Sequence, residues 1–237
     1  MRIALIGMGR MGRMIRDCAA ERGIEVAADF TKAPIAQLAQ CDRLAAVIDF
    51  SAPASLPALA AYVQRTGTPL VSGTTGYCDE EAARVNALGS YAPVAVSANF
   101  SIGVAVLKHL AAEAAALLPD FDIEIIETHH RMKKDAPSGT AKLLLSAVNP
   151  DGTHPTVFGR EGFAPRTAGE IGVHAVRGGT VAGVHTVSFF GDEEELSLTH
   201  RAESRRIFAI GALKTAEKLK DAPVGLHTLD ELLFARR

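Results

Sequence analysis

The chain has 237 residues, of which 48% are hydrophobic and 22% are charged, and its formal net charge is −2 at pH 7. This composition is typical of a globular protein of one or two domains and argues against a disordered chain. The negative net charge argues against a general nucleic-acid binder, because neutralising a phosphate backbone needs a basic surface.

The hydropathy and the cysteines indicate where the protein works. No stretch of the sequence approaches the length that spans a membrane. The three cysteines, Cys18, Cys41 and Cys78, lie far apart and form no C-x-x-C pair. A disulfide framework or a structural zinc site is therefore not expected. These features favour a soluble cytoplasmic protein with no membrane segment and no bound metal.

The first hundred residues alternate between short apolar runs and helical patterns. The predicted strands cover residues 2–6, 24–30, 44–50, 69–72 and 93–98. Strands that are apolar throughout are typical of a parallel sheet with helices on both faces. Because the crossovers between parallel strands are right-handed, such a sheet is doubly wound. We therefore predict an α/β dinucleotide-binding domain formed by residues 1–100 together with residues 205–237.

A glycine motif directly follows the first of these strands. Gly7, Gly9 and Gly12 have the G-x-G-x-x-G spacing, and a helical pattern begins there. This is the dinucleotide-binding fingerprint, in which the glycines allow a tight turn and a close approach to the pyrophosphate. Asp29 ends the second strand, where an acid binds the ribose hydroxyls of the adenosine half. The alternative is a glycine turn needed only for packing, with Asp29 a solvated acid.

The charges near this motif leave the choice of cofactor open. Asp29 favours NADH, because an acid at this position binds the ribose hydroxyls that NADP carries as a phosphate. Arg10, Arg13 and Lys32 offer positive charges that could receive the additional phosphate of NADPH. The predicted cofactor is therefore NADH or NADPH.

Two loops follow the fourth and fifth predicted strands. Residues 73–76 read Gly-Thr-Thr-Gly, and residues 97–101 read Ser-Ala-Asn-Phe-Ser. Open α/β sheets bind their ligands at the carboxyl ends of the strands. We expect the backbone and the small polar side chains of both loops to face the nicotinamide. Taken singly, either loop could be a plain turn.

The second half of the chain has a different pattern. A long alanine-rich helix over 102–118 and a strand over 121–128 precede a helix that begins near Thr140. Three further strands alternate in hydropathy and are joined by short turns, which predicts antiparallel pairing. They cover residues 172–177, 181–190 and 195–202. We predict a smaller α+β substrate-binding and oligomerisation domain over 101–204, with a mixed or antiparallel sheet and a long mobile loop over 149–170.

Residues 127–141 contain the highest density of side chains suited to catalysis or to binding an anion. His129 and His130 are adjacent, so in an extended segment they point to opposite sides. The cations that follow them are Arg131, Lys133 and Lys134. An apolar helix starts after Ser138, and a helix amino terminus attracts carboxylates and phosphates. This pattern predicts a small polyanion held beside a proton donor. The alternative is a solvated basic loop, and the cations would repel a metal ion.

Six short motifs occur in a fixed order between residues 9 and 141. They are Gly9-Arg-Met-Gly12, Asp49-Phe-Ser51, Ser72-Gly-Thr-Thr-Gly76, Ala98-Asn-Phe-Ser101, Glu127-Thr-His-His-Arg131 and Asp135-Ala-Pro-Ser-Gly-Thr-Ala141. Together with Lys133 they resemble the 4-hydroxy-tetrahydrodipicolinate reductase (dihydrodipicolinate reductase) family. The resemblance implies an oxidoreductase of lysine and diaminopimelate biosynthesis, which reduces a cyclic imine dicarboxylate with NADH or NADPH. It also implies a homotetramer.

The resemblance also implies a role for each matching residue. Hydride would add to the ring carbon conjugated with the imine, and His129, assisted by Lys133, would protonate the resulting enamine. His130, Gly139 and Thr140 would hold the substrate carboxylates. The residues implied in cofactor binding are Gly7, Met8, Gly9, Arg10, Met11, Gly12, Asp29, Gly73, Thr74, Thr75, Ser97, Ala98, Asn99 and Phe100. The neighbouring cations should lower the pKa of His129, and an arriving dianion should raise it again.

Two other functions stay open at this point. A different two-domain dehydrogenase, such as a sugar oxidoreductase, would share the nucleotide domain, although that family usually carries Glu-Lys-Pro where this chain has Gly73-Thr-Thr-Gly76. A non-catalytic NAD sensor would need neither His129 nor Lys133. The glycine loop is also one residue shorter than the commoner form of the reductase family, so contacts with the pyrophosphate would shift.

Overall fold

The structure, a computed structural model, describes residues 1–30 and 35–234 and divides the chain into two compact units. The first unit comprises Met1–Ile102 and Arg206–Arg237, and the second comprises Gly103–Arg205. Lys32, one of the cations considered for NADPH, lies outside the described residues. Within those residues, no helix is both long enough and apolar enough to cross a bilayer.

The secondary structure of the described residues alternates in the first half and becomes rich in strands in the second. The strands are β1 (Arg2–Ile6), β2 (Glu25–Phe30), β3 (Ala46–Asp49), β4 (Leu70–Ser72), β5 (Pro93–Val96), β6 (Asp122–His129), β7 (Thr156–Phe158), β8 (Ile171–Arg177), β9 (Gly183–Gly191), β10 (Glu194–Ala202) and β11 (Gly225–Leu226). The α-helices are α1 (Arg10–Glu21), α2 (Leu56–Thr66), α3 (Asp79–Ala87), α4 (Ile102–Leu117), α5 (Gly139–Val148), α6 (Arg206–Leu219) and α7 (Leu229–Phe234).

The first unit is built on a parallel sheet with the strand order β11-β5-β4-β3-β1-β2. Alternate residues of β1 enter different cores. Ile3 and Leu5 pack with α1 and α6, whereas Ala4 and Ile6 pack with α2 and α3. Helices therefore cover both faces of the sheet, which confirms the predicted doubly wound α/β fold.

The second unit is a mixed sheet with the strand order β10-β9-β6-β8-β7. Ile123 and Ile125 of β6 are buried beneath α4 and α5, which share one core with them. Ile126, on the other face of the same strand, is 42% exposed. Both of these helices thus lie on one face of the sheet, and the opposite face keeps apolar side chains exposed.

The prediction that residues 172–177, 181–190 and 195–202 pair as antiparallel strands is confirmed for β9 and β10 and is wrong for β8. β8 is parallel to both β6 and β7, and β6 lies between β8 and β9. The strands run parallel because the chain returns to the same end of the sheet twice, through α5 between β6 and β7 and through residues 159–170 between β7 and β8. Residues 149–170, predicted as a mobile loop, include β7 and carry the ion pairs Arg160–Glu170 and Arg166–Glu124.

Candidate functional site

The glycine motif of the first unit forms a tight turn between β1 and α1. Gly7 has a φ of 86°, a left-handed conformation that favours glycine. A Cβ on Gly12 would collide with the carbonyl oxygen of Gly7, whereas a Cβ on Gly9 would meet open space. The side chains of Met8 and Met11 pack against the core, so these two residues can contact a ligand only through their backbone. No side chain caps the amino end of α1. The first backbone N–H groups of this helix can therefore donate to a ligand in the open space beside Gly9, which suits a pyrophosphate.

The groups that would select the cofactor are exposed. Asp29 lies near the end of β2, opposite Leu5 of β1. Arg10 is exposed at the start of α1, and Arg13 donates a hydrogen bond from Nε to the carbonyl oxygen of Met8 at 3.2 Å. Asp29 could accept hydrogen bonds from the ribose hydroxyls of NADH, and Arg10 and Arg13 could pair with the additional phosphate of NADPH. These residues therefore fit either cofactor.

The buried side chain of Thr74 holds the loop after β4 in place through hydrogen bonds. The hydroxyl of this buried residue donates to Oδ2 of Asp49 at 2.8 Å and accepts from the N–H of Ser51 at 2.9 Å. The hydroxyl of Thr74 therefore holds the loop together, and the backbone of this residue is the part that can face a ligand. Gly73 is half-buried and Thr75 is exposed, so both stay accessible at the end of the strand.

The loop after β5 is also held by its own residues. The hydroxyl of Ser97 donates to the carbonyl oxygen of Asn99 at 2.8 Å, and the N–H of Asn99 donates back to that hydroxyl at 3.1 Å. Phe100 is buried, and its ring packs 5.8 Å from the ring of Phe50. The side chain of Phe100 thus belongs to the core, and its backbone is the part that can face a ligand. Ala98 is exposed.

Asp49 is a buried carboxylate at the end of β3 that is not among the predicted site residues. It accepts hydrogen bonds from four hydroxyl groups. These are Ser51 at 2.5 Å, Thr74 at 2.8 Å, Ser72 at 3.3 Å and Tyr77 at 3.4 Å. Burial raises the pKa of Asp49, although the hydrogen bonds of Ser51, Thr74 and Ser72 oppose this shift. The carboxylate ties the loops after β3 and β4 together. Its signals in the sequence are an acid at the end of an apolar strand and the motif Asp49-Phe-Ser51.

In the second unit, the end of β6 places Glu127 and His129 together on the buried face. Glu127 accepts two hydrogen bonds from Arg177, at 2.9 Å from Nη1 and 2.7 Å from Nη2. The N–H of Ser138 donates to the same carboxylate at 3.0 Å. Nδ1 of His129 lies 2.5 Å from Oε2 of Glu127. This contact occupies Nδ1, so Nε2 is the nitrogen of His129 that is left for chemistry.

The predicted partners of His129 lie between β6 and α5. Lys133 forms a 2.9 Å ion pair with Asp135, and its N–H donates to the carbonyl oxygen of His130 at 3.0 Å. The side chain of His130 is half-buried. The segment therefore folds into a turn that keeps Lys133 beside the histidines, close enough for its charge to act on His129.

The first turn of α5 contains the other two predicted substrate residues. Ser138 caps this helix, because its hydroxyl accepts a hydrogen bond from the N–H of Ala141 at 3.2 Å. Gly139 is exposed, and a Cβ there would meet open space. Thr140 is half-buried. The positive end of the helix dipole is thus accessible through Gly139, which suits a carboxylate.

The pKa of His129 is lowered, as predicted, but burial contributes more to this shift than the predicted positive charges do. Burial is the largest cause, because it disfavours the charged imidazolium. The charges of Lys133 and Arg177 lower the pKa further, whereas the hydrogen bond and the charge of Glu127 raise it. Lys133 and Glu127 lie in the same short segment as His129, whereas Arg177 reaches the site only through the fold.

Two residues of β9 complete the surroundings of His129, and the sequence signals neither of them. A Cβ on Gly183 would lie 3.1 Å from Nε2 of His129, so this glycine keeps the reactive nitrogen uncovered. The ring of His185 stands edge-on to that of His129, with 5.1 Å between centroids. Nε2 of His185 lies 3.1 Å from the hydroxyl of Ser138. Within the described residues, its buried Nδ1 has no hydrogen-bond partner.

His185 should make stability depend on pH. Burial, and then the charge of His129, lower its pKa from 6.5 to about 4. Between pH 6.5 and 4, His185 is therefore protonated in the unfolded chain but stays neutral in the folded protein. The free energy of unfolding falls as the pH drops through this window. The shift corresponds to about 3 kcal/mol. Urea unfolding at several pH values should show this loss. We expect a flatter dependence in His185→Gln, and an equally steep one would contradict the assignment.

Fold and site together define the class of protein. A parallel sheet whose glycine turn opens α1 is the architecture that binds dinucleotides. The second unit, inserted in the chain between β5 and α6, carries a histidine backed by a carboxylate. Among the described residues, no group of three or more His, Cys, Asp or Glu side chains is placed to hold a metal ion. The architecture is that of a dinucleotide-binding protein whose second unit carries a candidate proton donor.

Solved structures share this fold. The scyllo-inositol dehydrogenase of Lactobacillus casei, with bound NAD(H) and scyllo-inositol, has a TM-score of 0.58 at 12% identity, covering 91% of this chain and 86% of its own. A dipicolinate-bound dihydrodipicolinate reductase from Paenisporosarcina sp. TG-14 has a TM-score of 0.81 at 22% identity, covering 98% of this chain and 99% of its own.

The sequence comparisons identify the family. The family model "Dihydrodipicolinate reductase, N-terminus" matches residues 1–100, and "Dihydrodipicolinate reductase, C-terminus" matches residues 103–233. The 4-hydroxy-tetrahydrodipicolinate reductase of Thermomicrobium roseum is 42% identical, over 98% of this chain and 99% of its own. The 4-hydroxy-tetrahydrodipicolinate reductase of Exiguobacterium sp. is 40% identical, over 98% of this chain and 95% of its own. The chain belongs to the dihydrodipicolinate reductase family, which confirms the resemblance found in the sequence.

Proposed function

We propose that the chain reduces 4-hydroxy-tetrahydrodipicolinate to tetrahydrodipicolinate with NADH or NADPH, a step of lysine and diaminopimelate biosynthesis. The observation that carries this proposal is His129 at the end of β6, which is backed by Glu127 and feels the positive charges of Lys133 and Arg177. A proton donor and positive charge together suit a dianionic substrate that needs a proton. The names of the sequence relatives support the identity of that substrate.

The first unit binds the dinucleotide in this proposal. Backbone groups of the glycine turn and the first turn of α1 hold the pyrophosphate, and Asp29 or Arg10 receives the ribose end. Gly73, Thr75, Ala98 and the backbone of Phe100 lie at the carboxyl ends of β4 and β5, where open sheets bind ligands. When bound, the reduced nicotinamide supplies the hydride.

The second unit binds the substrate. The amino end of α5, at Gly139 and Thr140, holds one carboxylate through backbone groups and the helix dipole. His130 and Lys133 contribute to holding the second carboxylate, since both lie in the turn that precedes α5. Two charged groups on a rigid ring, held by two separate elements, fix the ring in one orientation.

His129 supplies the proton. Loss of water, formed from the 4-hydroxyl and a hydrogen of the adjacent ring carbon, leaves a carbon–carbon double bond conjugated with the imine. Hydride then adds to the far carbon of that double bond, and the resulting enamine carbon takes a proton from Nε2 of His129. The lowered pKa of His129 would leave it mostly neutral in the free enzyme at neutral pH. Two substrate carboxylates nearby favour the imidazolium, so the substrate raises this pKa when it binds. The substrate thereby promotes protonation of its own acid.

The direct test is the decay of NADH or NADPH absorbance with the condensation product of pyruvate and aspartate semialdehyde. We expect turnover that depends on this product. Binding of cofactor without turnover would contradict the reductase function and favour an NAD sensor. Parallel binding titrations with NADH and NADPH decide the cofactor, because Asp29 and Arg10 give the two dinucleotides different partners.

We also propose that the protein assembles as a homotetramer through the open face of the second sheet. Ile126, Val176 and Phe190 lie on this face and are 42%, 48% and 40% exposed. They share it with polar residues such as Thr186 and Thr199, whose hydroxyls are 2.9 Å apart across β9 and β10. An exposed apolar sheet face of this kind is typical of a surface that another protein chain covers.

Ile126→Asp combined with Val176→Asp should break this assembly, because two carboxylates would be buried against apolar neighbours. Light scattering after size-exclusion chromatography should show the tetramer mass for the unaltered protein and a smaller mass for the double variant at micromolar concentration. Leu117→Asp is the control, since Leu117 is 77% exposed at the end of α4. A double variant that keeps the tetramer mass would contradict the proposed interface.

A further inference from the structure

Both oxygens of the buried Glu127 carboxylate are occupied. Oε1 accepts from Nη2 of Arg177 at 2.7 Å and from the N–H of Ser138 at 3.0 Å. Oε2 accepts from Nη1 of Arg177 at 2.9 Å and faces Nδ1 of His129 at 2.5 Å. Burial alone raises the pKa of Glu127, but the hydrogen bonds of Arg177, His129 and Ser138 leave it lowered. The group therefore stays ionised although water does not reach it.

These contacts connect three elements of the site. Glu127 and His129 are two residues apart on β6 and so share one face of the sheet. Arg177 ends β8, and Ser138 caps α5. Nη2 of Arg177 also donates to the carbonyl oxygen of Asp135 at 2.7 Å, within the segment that leads to α5. One carboxylate thus holds the histidine and the helix start in a single arrangement.

Building on the reductase function proposed above, we propose that Glu127 is a positioning residue of the reaction. It fixes the ring of His129 with Nδ1 directed at the carboxylate and Nε2 available to the substrate. Its negative charge also sets the pH range in which His129 can donate a proton, and Arg177 keeps Glu127 ionised for this role.

The charges around His129 explain why this carboxylate matters. The titratable and charged groups that face His129 are Glu127 on β6, Lys133 in the following turn, Arg177 on β8 and His185 on β9. Lys133 and Arg177 disfavour a proton on His129, and His185 is neutral near pH 7 because of its low pKa. Of the four, Glu127 is the group that favours the imidazolium.

Glu127→Gln tests the charge while keeping the size of the side chain and a hydrogen-bonding group. We expect the pKa of His129, followed by NMR, to fall by about one unit or more. The basic limb of the profile of kcat/KM against pH should move to lower pH by the same amount. Activity lost near pH 8 should return towards that of the unaltered enzyme at lower pH, which a merely structural defect would not allow.

Glu124→Gln is the matched control for this variant. Glu124 lies on the same strand and is also paired with an arginine, Arg166, but on the opposite face of the sheet. It should leave the pKa of His129 and the basic limb unchanged. An unchanged limb in Glu127→Gln, or an equal shift in both variants, would overturn the proposal.

The unaltered protein offers a test that needs no variant to fold. The ¹⁵N shifts of neutral His129 should show the proton on Nδ1 and the lone pair on Nε2. The opposite tautomer overturns the role of Glu127 even in an enzyme that turns over normally. Absence of turnover in the unaltered protein would instead reject the reductase function, while the tautomer and the NMR titration still decide whether Glu127 governs His129.

Discussion

His129→Gln is expected to lower kcat by about 10²–10⁴-fold, the usual contribution of a positioned general acid. Glutamine can still hydrogen-bond Glu127, so the site should keep its shape, but it cannot transfer a proton to the substrate. Affinity for the dinucleotide should stay unchanged, because the glycine turn belongs to the first unit. Steady-state kinetics and a fluorescence titration with the reduced cofactor measure both quantities.

His154→Gln is the control for this substitution. His154 lies before β7, and its Nδ1 is 2.7 Å from the carbonyl oxygen of Gly169, away from the contacts that hold His129. Its kcat should match that of the unaltered enzyme. A kcat for His129→Gln within a few-fold of normal would mean that another group donates the proton.

Lys133→Ala is the second large effect, with kcat/KM reduced by roughly 10²-fold and most of the loss in kcat. Lys133 supplies positive charge beside His129 and has Asp135 as its partner in the free protein. Without the lysine, a dianionic substrate loses a charged partner and the ring loses part of its orientation. The KM and kcat for the substrate, measured at saturating cofactor, separate these two losses.

Lys134→Ala provides a comparison of equal charge. Lys134 is the next residue along the chain and is exposed. If bulk positive charge were sufficient, both variants would lose activity alike, and the specific role of Lys133 would be refuted. We expect Lys134→Ala to change kcat/KM by less than about threefold, as surface charges do.

The fold of the first unit was predictable because its signals are local. The strands are apolar throughout, and the glycine spacing directly follows β1, so element type and order can be read along the chain. The pairing of β8 was not predictable in the same way. Alternating hydropathy identifies a strand but not its neighbour. Two crossovers, through α5 to β7 and through residues 159–170 to β8, leave β8 parallel to β6.

Some residues of the candidate site could be predicted from the sequence and others could not, for the same reason. His129, Lys133 and Gly139 lie in one short segment, so the sequence displays them together. Arg177 is 50 residues from its partner Glu127, and His185 is 47 residues from Ser138. Such pairs arise only when strands are brought side by side, and nothing in the spacing along the chain indicates them.

The central claim is that a cyclic dicarboxylate binds where α5 begins, within reach of His129. A crystal structure with reduced cofactor and pyridine-2,6-dicarboxylate tests it most directly. We predict one carboxylate within hydrogen-bonding distance of the backbone N–H groups of Gly139 and Thr140, with Nε2 of His129 facing the ring. A ligand bound elsewhere, with the start of α5 occupied only by water, would contradict the account.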